Sequence, residues 1–401
     1  MNTVAQSQDC ILAVLRPLPA ETVPLAQACG RFAAEPLSSY IDLPPHDNSA
    51  MDGYAVRAED LAAASAQTPV ALRVLGAAPA GFVFDTPVRP GTCLRVFTGS
   101  ILPPGADAVV MQEDVQQDPR NTQCVLFAEK APPWQNVRLR GEDAKAGATI
   151  VESGEKLTAP RLSFLAAAGV SSVRAARRPV AGLLATGDEL RQPPEPLPPG
   201  AIYESNRAGL AALAQQAGAI PRLYPLVPDD LKATKAALEQ AFEQCDVVFS
   251  IGGVSVGGMD WVKPAFAACG GQLDFWRVAM RPGKPFAFGR RAEKLFFGLP
   301  GNPASALVTF FILARPALMR LQGARDVFPR TFPATLSEPL ANEDERRLFA
   351  RVALDARGAA RLAGSQSSHI LSALARSSGL VEIPPKTTFP AGAIVPFMPW
   401  D

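Results

Sequence analysis

Histidine is almost missing from this 401-residue chain: His46 and His369 are the only two. A Ser-His-Asp hydrolase or a histidine-rich zinc site would have to be built from that pair, which speaks against both. The six cysteines (Cys10, Cys29, Cys93, Cys124, Cys245, Cys269) form no CxxC pair and no framework spacing. They read as small buried hydrophobes in a reducing compartment. Charge of one sign is missing as well. With 39 basic and 38 acidic residues the net charge is +1, so nothing marks the whole surface for nucleic acid or a membrane, although a local anion site stays open. No apolar run reaches membrane-spanning length: Arg315 and Pro316 interrupt "ALVTFFILARPALM", which sits within "NPASALVTFFILARPALMRLQG", a stretch that reads as one long helix. The opening stretch has no basic segment ahead of its short apolar run, so no signal peptide is expected and the reading is cytoplasmic. Internal repeats and low-complexity tracts are lacking. Any chemistry therefore falls to carboxylates, Arg, Lys and backbone amides.

What is present is core material: 48% of residues are hydrophobic and 19% charged. At about 100 to 200 residues per domain, the length suits roughly two to four domains. Residues 1–44 carry a helix expected near Asp9 to Leu15, then Pro-rich mixed structure; 141–173 return to the same mixed character, with a helix after Thr158, Pro160 in its first turn and Gly169 past its end. Residues 45–140 alternate apolar and polar with recurring Pro-Gly turns, a β-rich unit. From 174 to 327 strands and helices alternate, which predicts an α/β domain with a doubly wound, mostly parallel sheet. Residues 328–401 read as short strands with one helical insert, a compact antiparallel barrel or sandwich.

Four loops end strands of the α/β stretch, and such sheets bind ligands beyond the carboxyl ends of their strands. "SIGGVSVGGMD" (250–260) clusters Gly252, Gly253, Ser255, Gly257 and Gly258 before Asp260. Bare backbone amides there can converge on a phosphate, though the lysine of a Walker A loop is absent. "ATGDEL" offers Thr186, Gly187, Asp188 and Glu189; "MRPGKP" offers Arg281 and Lys284 across a turn; "GLPGNPASA" offers Pro300, Asn302 as a helix cap and Ser305. Each alone also reads as an ordinary turn or cap. Their convergence on one sheet edge points to an anionic ligand, with Mg²⁺ between carboxylates and phosphate oxygens. In the first half, "PPHDNSAMDGYA" (44–55) holds Asp47 and Asp52, and "VRLRGEDAKAG" (137–147) holds Glu142 and Asp143; both also read as solvated charged turns.

Taken in order, "DNSAMDGYA", "TG" at 98–99, "GADAVVMQE", "RLRGED", "TGDEL", "SIGGVSVGGMD", "RPGKPFAFG" and "GLPGNPASA" resemble the molybdopterin molybdenumtransferase family, which includes MoeA and the gephyrin E domain. The resemblance runs from about residue 20 to the end and is weakest over the last 70 or so. It implies an elongated homodimer with its site at the subunit interface, 1–44 and 141–173 serving for linking and dimerisation. It implies Mg²⁺-dependent insertion of molybdate into adenylylated molybdopterin with release of AMP. By position, Gly252, Gly253, Ser255 and Gly257 would cradle the pterin phosphate or pyrophosphate, with Thr186, Gly187, Pro300, Asn302 and Ser305 in the same binding set. Glu189, Asp229 and Asp260 would handle Mg²⁺ or the nucleotide, although Asp229 in "VPDDLKA" also reads as a helix N-cap. Asp52, Thr98 and Asp143 would act across the dimer, and Arg281 and Lys284 would hold molybdate or phosphate oxygens. Two positions depart from many relatives: Gly258 stands where Glu is common, and Arg281 where some carry Lys. A molybdopterin adenylyltransferase and a non-catalytic gephyrin-like scaffold are the alternatives, the first matching only the α/β portion. Further partners suggested are the adenylyltransferase itself and molybdoenzyme chaperones. Molybdate and tungstate are not separable from sequence.

Overall fold

The structure, a computed structural model, describes residues 1–253 and 260–400; Ser255, Gly257 and Gly258 lie outside the described residues. At its centre is a six-stranded sheet in the order Ile220–Leu223, Val180–Ala185, Val247–Ile251, Lys294–Leu299, Ala287–Arg291, Gln272–Trp276. The first four strands run parallel. "VVFSI" is buried at every position, as a strand covered on both faces must be. Helices Asn206–Gln216 and Pro303–Thr309 with its continuation pack on one face, where Leu210, Val308 and Phe310 join Phe249 and Phe297. Helices Leu231–Gln244 and Val262–Ala268 cover the other with Leu238, Phe242 and Phe266.

Two local expectations need correction, and one long helix holds with a local change. "PFAFGR" does not extend the parallel series. Ala287–Arg291 forms an antiparallel hairpin with Lys294–Leu299, because only two residues connect them and a parallel pair needs a crossover. Ala292 takes a positive φ of 50° to make that turn. The long helix expected through Pro316 does form. The helix continues from Pro303 to Leu321 and widens into one π turn, Phe310–Ala314, just ahead of the proline. Proline has no N–H for the preceding turn, and the wider turn absorbs its ring. By length and apolarity this helix could cross a membrane, yet 83% of it is buried inside the protein. Finally, the first helix is Val4–Ala13, beginning earlier than expected, because Thr3 and Gln6 close a capping box.

The remaining units frame this sheet. Residues 45–140 hold a six-stranded sheet in the order Ala108–Met111, Gly53–Val56, Thr92–Val96, Val70–Ala78, Cys124–Phe127, Val115–Gln117, with apolar clusters on both faces. Strand pairs Ala20–Pro24 with Ser172–Ala176 and Leu37–Ser38 with Thr149–Val151, together with helix Ala159–Ala167, close a smaller core around Leu157 and Leu165. The C-terminal sheet contains Arg347–Leu354, Gly379–Ile383, Ile394–Pro399 and Phe332–Thr335, and its far edge is Met280–Arg281, lent by the α/β unit. Inside this unit Arg351 is fully buried. It donates to the carbonyls of Ser365 and Ser367, fixing the loop that runs to His369.

Candidate functional site

A cavity of about 740 Å³ opens at the carboxyl ends of the parallel strands. Each strand delivers a loop to it: Thr186, Gly187 and Glu189 after Val180–Ala185, Gly252 and Gly253 after Val247–Ile251, and Pro300 to Pro303 after Lys294–Leu299. Asp229 follows the outer strand and Asp260 precedes helix Val262–Ala268.

The glycines let these loops touch. Gly253 has φ 63°, and a Cβ there would lie 2.4 Å from Val262 Cγ2 and 3.1 Å from Thr186 Oγ1. A Cβ on Gly187 would sit 2.6 Å from Glu189 Oε2, so only glycine leaves room for that carboxylate to fold over the loop. Asn302 caps Pro303–Thr309 by position but spends its amide on Ser368 Oγ, 3.1 Å away. Ser368 in turn accepts the Ala304 N–H at 3.1 Å.

Polar atoms of the wall are left without partners. Among the described residues Thr186 Oγ1 and Asn206 Oδ1 are buried with no hydrogen bond, and neither Asp260 carboxylate oxygen has a well-formed one, although the Val262 N–H and Lys263 draw on that carboxylate weakly. Buried polar atoms are nearly always satisfied in proteins, so a cluster of orphans around one cavity marks a place for a polar ligand. The Asp260 side chain is 8% exposed, and Lys263 Nζ approaches only to 3.7 Å. Burial pushes its carboxyl up to about 6 against the opposing charge of Lys263. Asp229 is also raised, first by burial and then by the like charges of Asp188 and Glu189. The cap alternative for Asp229 falls away, since Asp230 accepts the Ala233 N–H at 2.8 Å and takes that role.

The other expected residues stand elsewhere. Asp52 accepts both the N–H and the hydroxyl of Thr98, each at 2.8 Å, which holds its carboxyl below the usual range. Asp52, Thr98, Asp143, Arg281, Lys284 and Ser305 do not line this cavity. Arg281 begins the Pro-Gly turn from its place in the C-terminal sheet, and Pro285 at the end of that turn does reach the wall. Ser305 is buried in the first helical turn, where its carbonyl accepts the Thr309 hydroxyl. Sequence reasoning passed over Tyr203, Asn206 and His369, all of which line the cavity. Asn206 opens a helix after Ser205, so in sequence it reads as no more than a helix start. His369 arrives from the C-terminal unit through a fold contact that no local pattern announces.

Among the described residues no three His, Cys, Asp or Glu side chains form a ready metal cage. Mg²⁺ does not need one: it keeps several waters and takes one or two carboxylates with substrate phosphates. The two poorly satisfied oxygens of Asp260, with Asp229 and Glu189 on the same wall, fit that mode.

Three family patterns cover this architecture: the MoeA N-terminal region (domains I and II) over 2–169, a probable molybdopterin binding domain over 182–320, and the MoeA C-terminal region (domain IV) over 333–400. A molybdopterin molybdenumtransferase of Haemophilus influenzae is 38% identical, aligned over 94% of this chain and 93% of its own. This chain belongs to the molybdopterin molybdenumtransferase (MoeA) family. A second relative, molybdopterin molybdenumtransferase 2 of Mycobacterium tuberculosis, is 37% identical with 96% of each chain aligned. The crystal structure of the molybdopterin biosynthesis MoeA protein of Pyrococcus horikoshii superposes with a TM-score of 0.87 at 31% identity, covering both chains completely. The MoeA architecture therefore extends over all four parts of the fold, and the cavity wall from Ala185 to Pro303 lies within the molybdopterin-binding match.

Proposed function

We propose that this chain performs the metal-insertion step of molybdenum cofactor biosynthesis: it takes adenylylated molybdopterin and molybdate and releases AMP. The observation that carries the reading is the meeting of unsatisfied Thr186 and Asn206 atoms and the poorly satisfied Asp260 carboxylate with glycine backbone at one strand-end cavity that also holds Asp229 and Glu189. The atoms balance without a further reactant. Two dithiol sulfurs replace one molybdate oxygen, which leaves as water with both thiol protons. One water is consumed when the phosphoanhydride to AMP is cleaved.

The chain's own residues divide the work. Gly252 and Gly253 keep side chains away so that their backbone can approach the pyrophosphate closely. Thr186 Oγ1 donates to a phosphate oxygen, and the Asn302 end of helix Pro303–Leu321 turns the positive end of its dipole toward it. Asp260, with Asp229 and Glu189, would hold Mg²⁺, which when bound supplies positive charge to make AMP a better leaving group. Arg281 and Lys284, on the turn that brings Pro285 to the cavity wall, would hold the oxyanion of molybdate at its edge, and Ser255 and Gly257 would complete the phosphate cradle. Asp52, Thr98 and Asp143 act across a homodimer. The cytoplasm is the compartment that fits, with the adenylyltransferase and molybdoenzyme chaperones as transient partners.

The test is anaerobic. Purified chain receives adenylylated molybdopterin, Mg²⁺ and molybdate, and AMP and metal-bound pterin are followed together. Molybdate-dependent AMP release is the expected result; pterin binding with no AMP release under any metal condition would reject the transferase reading.

A further inference from the structure

A second cavity, of about 530 Å³, lies where the linking unit, the long helix and the C-terminal sheet meet. Phe311, Arg315 and Met319, four residues apart, form one wall on the helix. Trp400 packs edge-on against Phe311, with ring centres 5.1 Å apart. Phe328 and Phe332 stand at the rim, 48% and 53% exposed.

Positive charge exceeds its balance here. Lys156, Arg161, Arg315, Arg325 and Arg330 line the cavity, against Glu155 and Asp326. Arg161 and Arg325 share Glu155, at 2.8 and 3.2 Å. Among the described residues Arg315 has no carboxylate partner. It makes one long hydrogen bond, 3.4 Å to the Val327 carbonyl, and lies 5.6 Å from the centre of the Phe311 ring. A half-buried guanidinium without a counter-ion carries a cost, and an anion entering the cavity would remove it. Burial holds the Arg315 guanidinium below its usual range, in keeping with that placement. Apolar rings beside surplus cations suit a planar ring carrying an oxyanion. The volume lies within the usual range for a small-molecule site, roughly 300 to 1,000 Å³.

We propose that this cavity is a second ligand site, for a nucleoside monophosphate, with Arg315 on the phosphate and Trp400, backed by the buried Phe311 ring, against the base. It stands apart from the strand-end cavity and does not depend on the molybdenumtransferase reading.

The chain has four tryptophans, so indole ¹⁵N–¹H signals give four reporters. Trp400 is identified by Trp400→Phe, and Trp261, next to Asp260, reports on the strand-end cavity. AMP is the probe. The expected result is a saturable shift of the Trp400 signal, with a dissociation constant of about 1 mM or tighter. Arg315→Gln should weaken it by at least about tenfold, the loss of one charge-assisted contact. Arg330→Gln, on the exposed rim, should weaken it less and decides the matter if Arg315→Gln does not fold. Adenosine and ribose 5-phosphate should each bind more weakly than AMP. The proposal fails if AMP moves Trp261 but not Trp400. It fails equally if both folded variants titrate as the parent does, or if ribose 5-phosphate matches AMP, which would leave a bare phosphate site.

Discussion

Asp260 is an acid held where its charge is disfavoured, and that has a sign. Its folded pKa lies above the value near 3.9 of an unfolded aspartate, so the folded state binds the extra proton. The ionised group therefore lowers stability above about pH 6, and the penalty fades as pH falls through 6 toward 4. Asp260→Asn is expected to be more stable than the parent at pH 7.5 by about 1 to 3 kcal/mol. Near pH 4 the two should melt together, a comparison that calorimetry reads directly. The same substitution should lower AMP release at least about a hundredfold. In the parent that release should fall as pH drops below about 6, because a protonated carboxyl no longer serves a cation. Equal activity of parent and variant would remove Asp260 from the site. At this scale the sequence was informative where a residue type is needed for bare chemistry. Thr186, Gly187, Glu189, Gly252, Gly253, Asp260, Pro300 and Asn302 lie in loops whose patterns stood out, Asp229 was implied by the family resemblance, and all meet on one wall. The Asp229–Asp230 pair was ambiguous because either carboxylate can cap, and only the fold shows which one does.

The glycine loop is where a single methyl should be felt across a whole element. Gly253→Ala places a Cβ against Val262 and imposes a positive φ that L residues avoid. A loss of about 1 to 3 kcal/mol in stability is expected, with weaker binding of adenylylated molybdopterin. An alanine variant that melts and binds as the parent does would show that close packing there is dispensable. Elements were legible wherever period and length agreed, as in the buried run "VVFSI" and the helix "DLKATKAALEQAFEQ". Single residues left local detail that the pattern did not show. Pro316 widens its helix without ending it because the flanking apolar residues are packed on every side. The hairpin at Ala292 was missed because its turn uses a positive φ on alanine, which carries none of the usual Asn-Gly signal.

For the whole molecule, the order of strands and crossovers explains why four distant loops share one edge, and that much follows from alternating βα sequence. Asp52, Thr98 and Asp143 stand away from the cavity of their own chain, a separation no local motif reveals. The dimer reading makes a quantitative prediction from that separation. Asp52→Ala and Asp260→Ala are each expected to be inactive. After subunit exchange in a mixture of the two, about half the dimers are mixed, and each mixed dimer has one site with both residues intact. About a quarter of parental activity should return. No recovery despite proven exchange would place all the acidic groups on one subunit.

The π turn at Phe310–Ala314 acts like one residue of slip in the thread of a screw. A helix advances about 100° per residue, so an extra residue in one turn rotates everything beyond it by that angle. The segment Arg315–Leu321 therefore owes its facing to the slip, and Arg315 and Met319 turn toward the Trp400 groove with Phe311. Removing Ile312 would let the thread close up as regular helix with that stretch still facing the groove, whereas tightening the turn with every residue kept would swing it away, and neither change moves the Asn302 end or the strand-end cavity it serves.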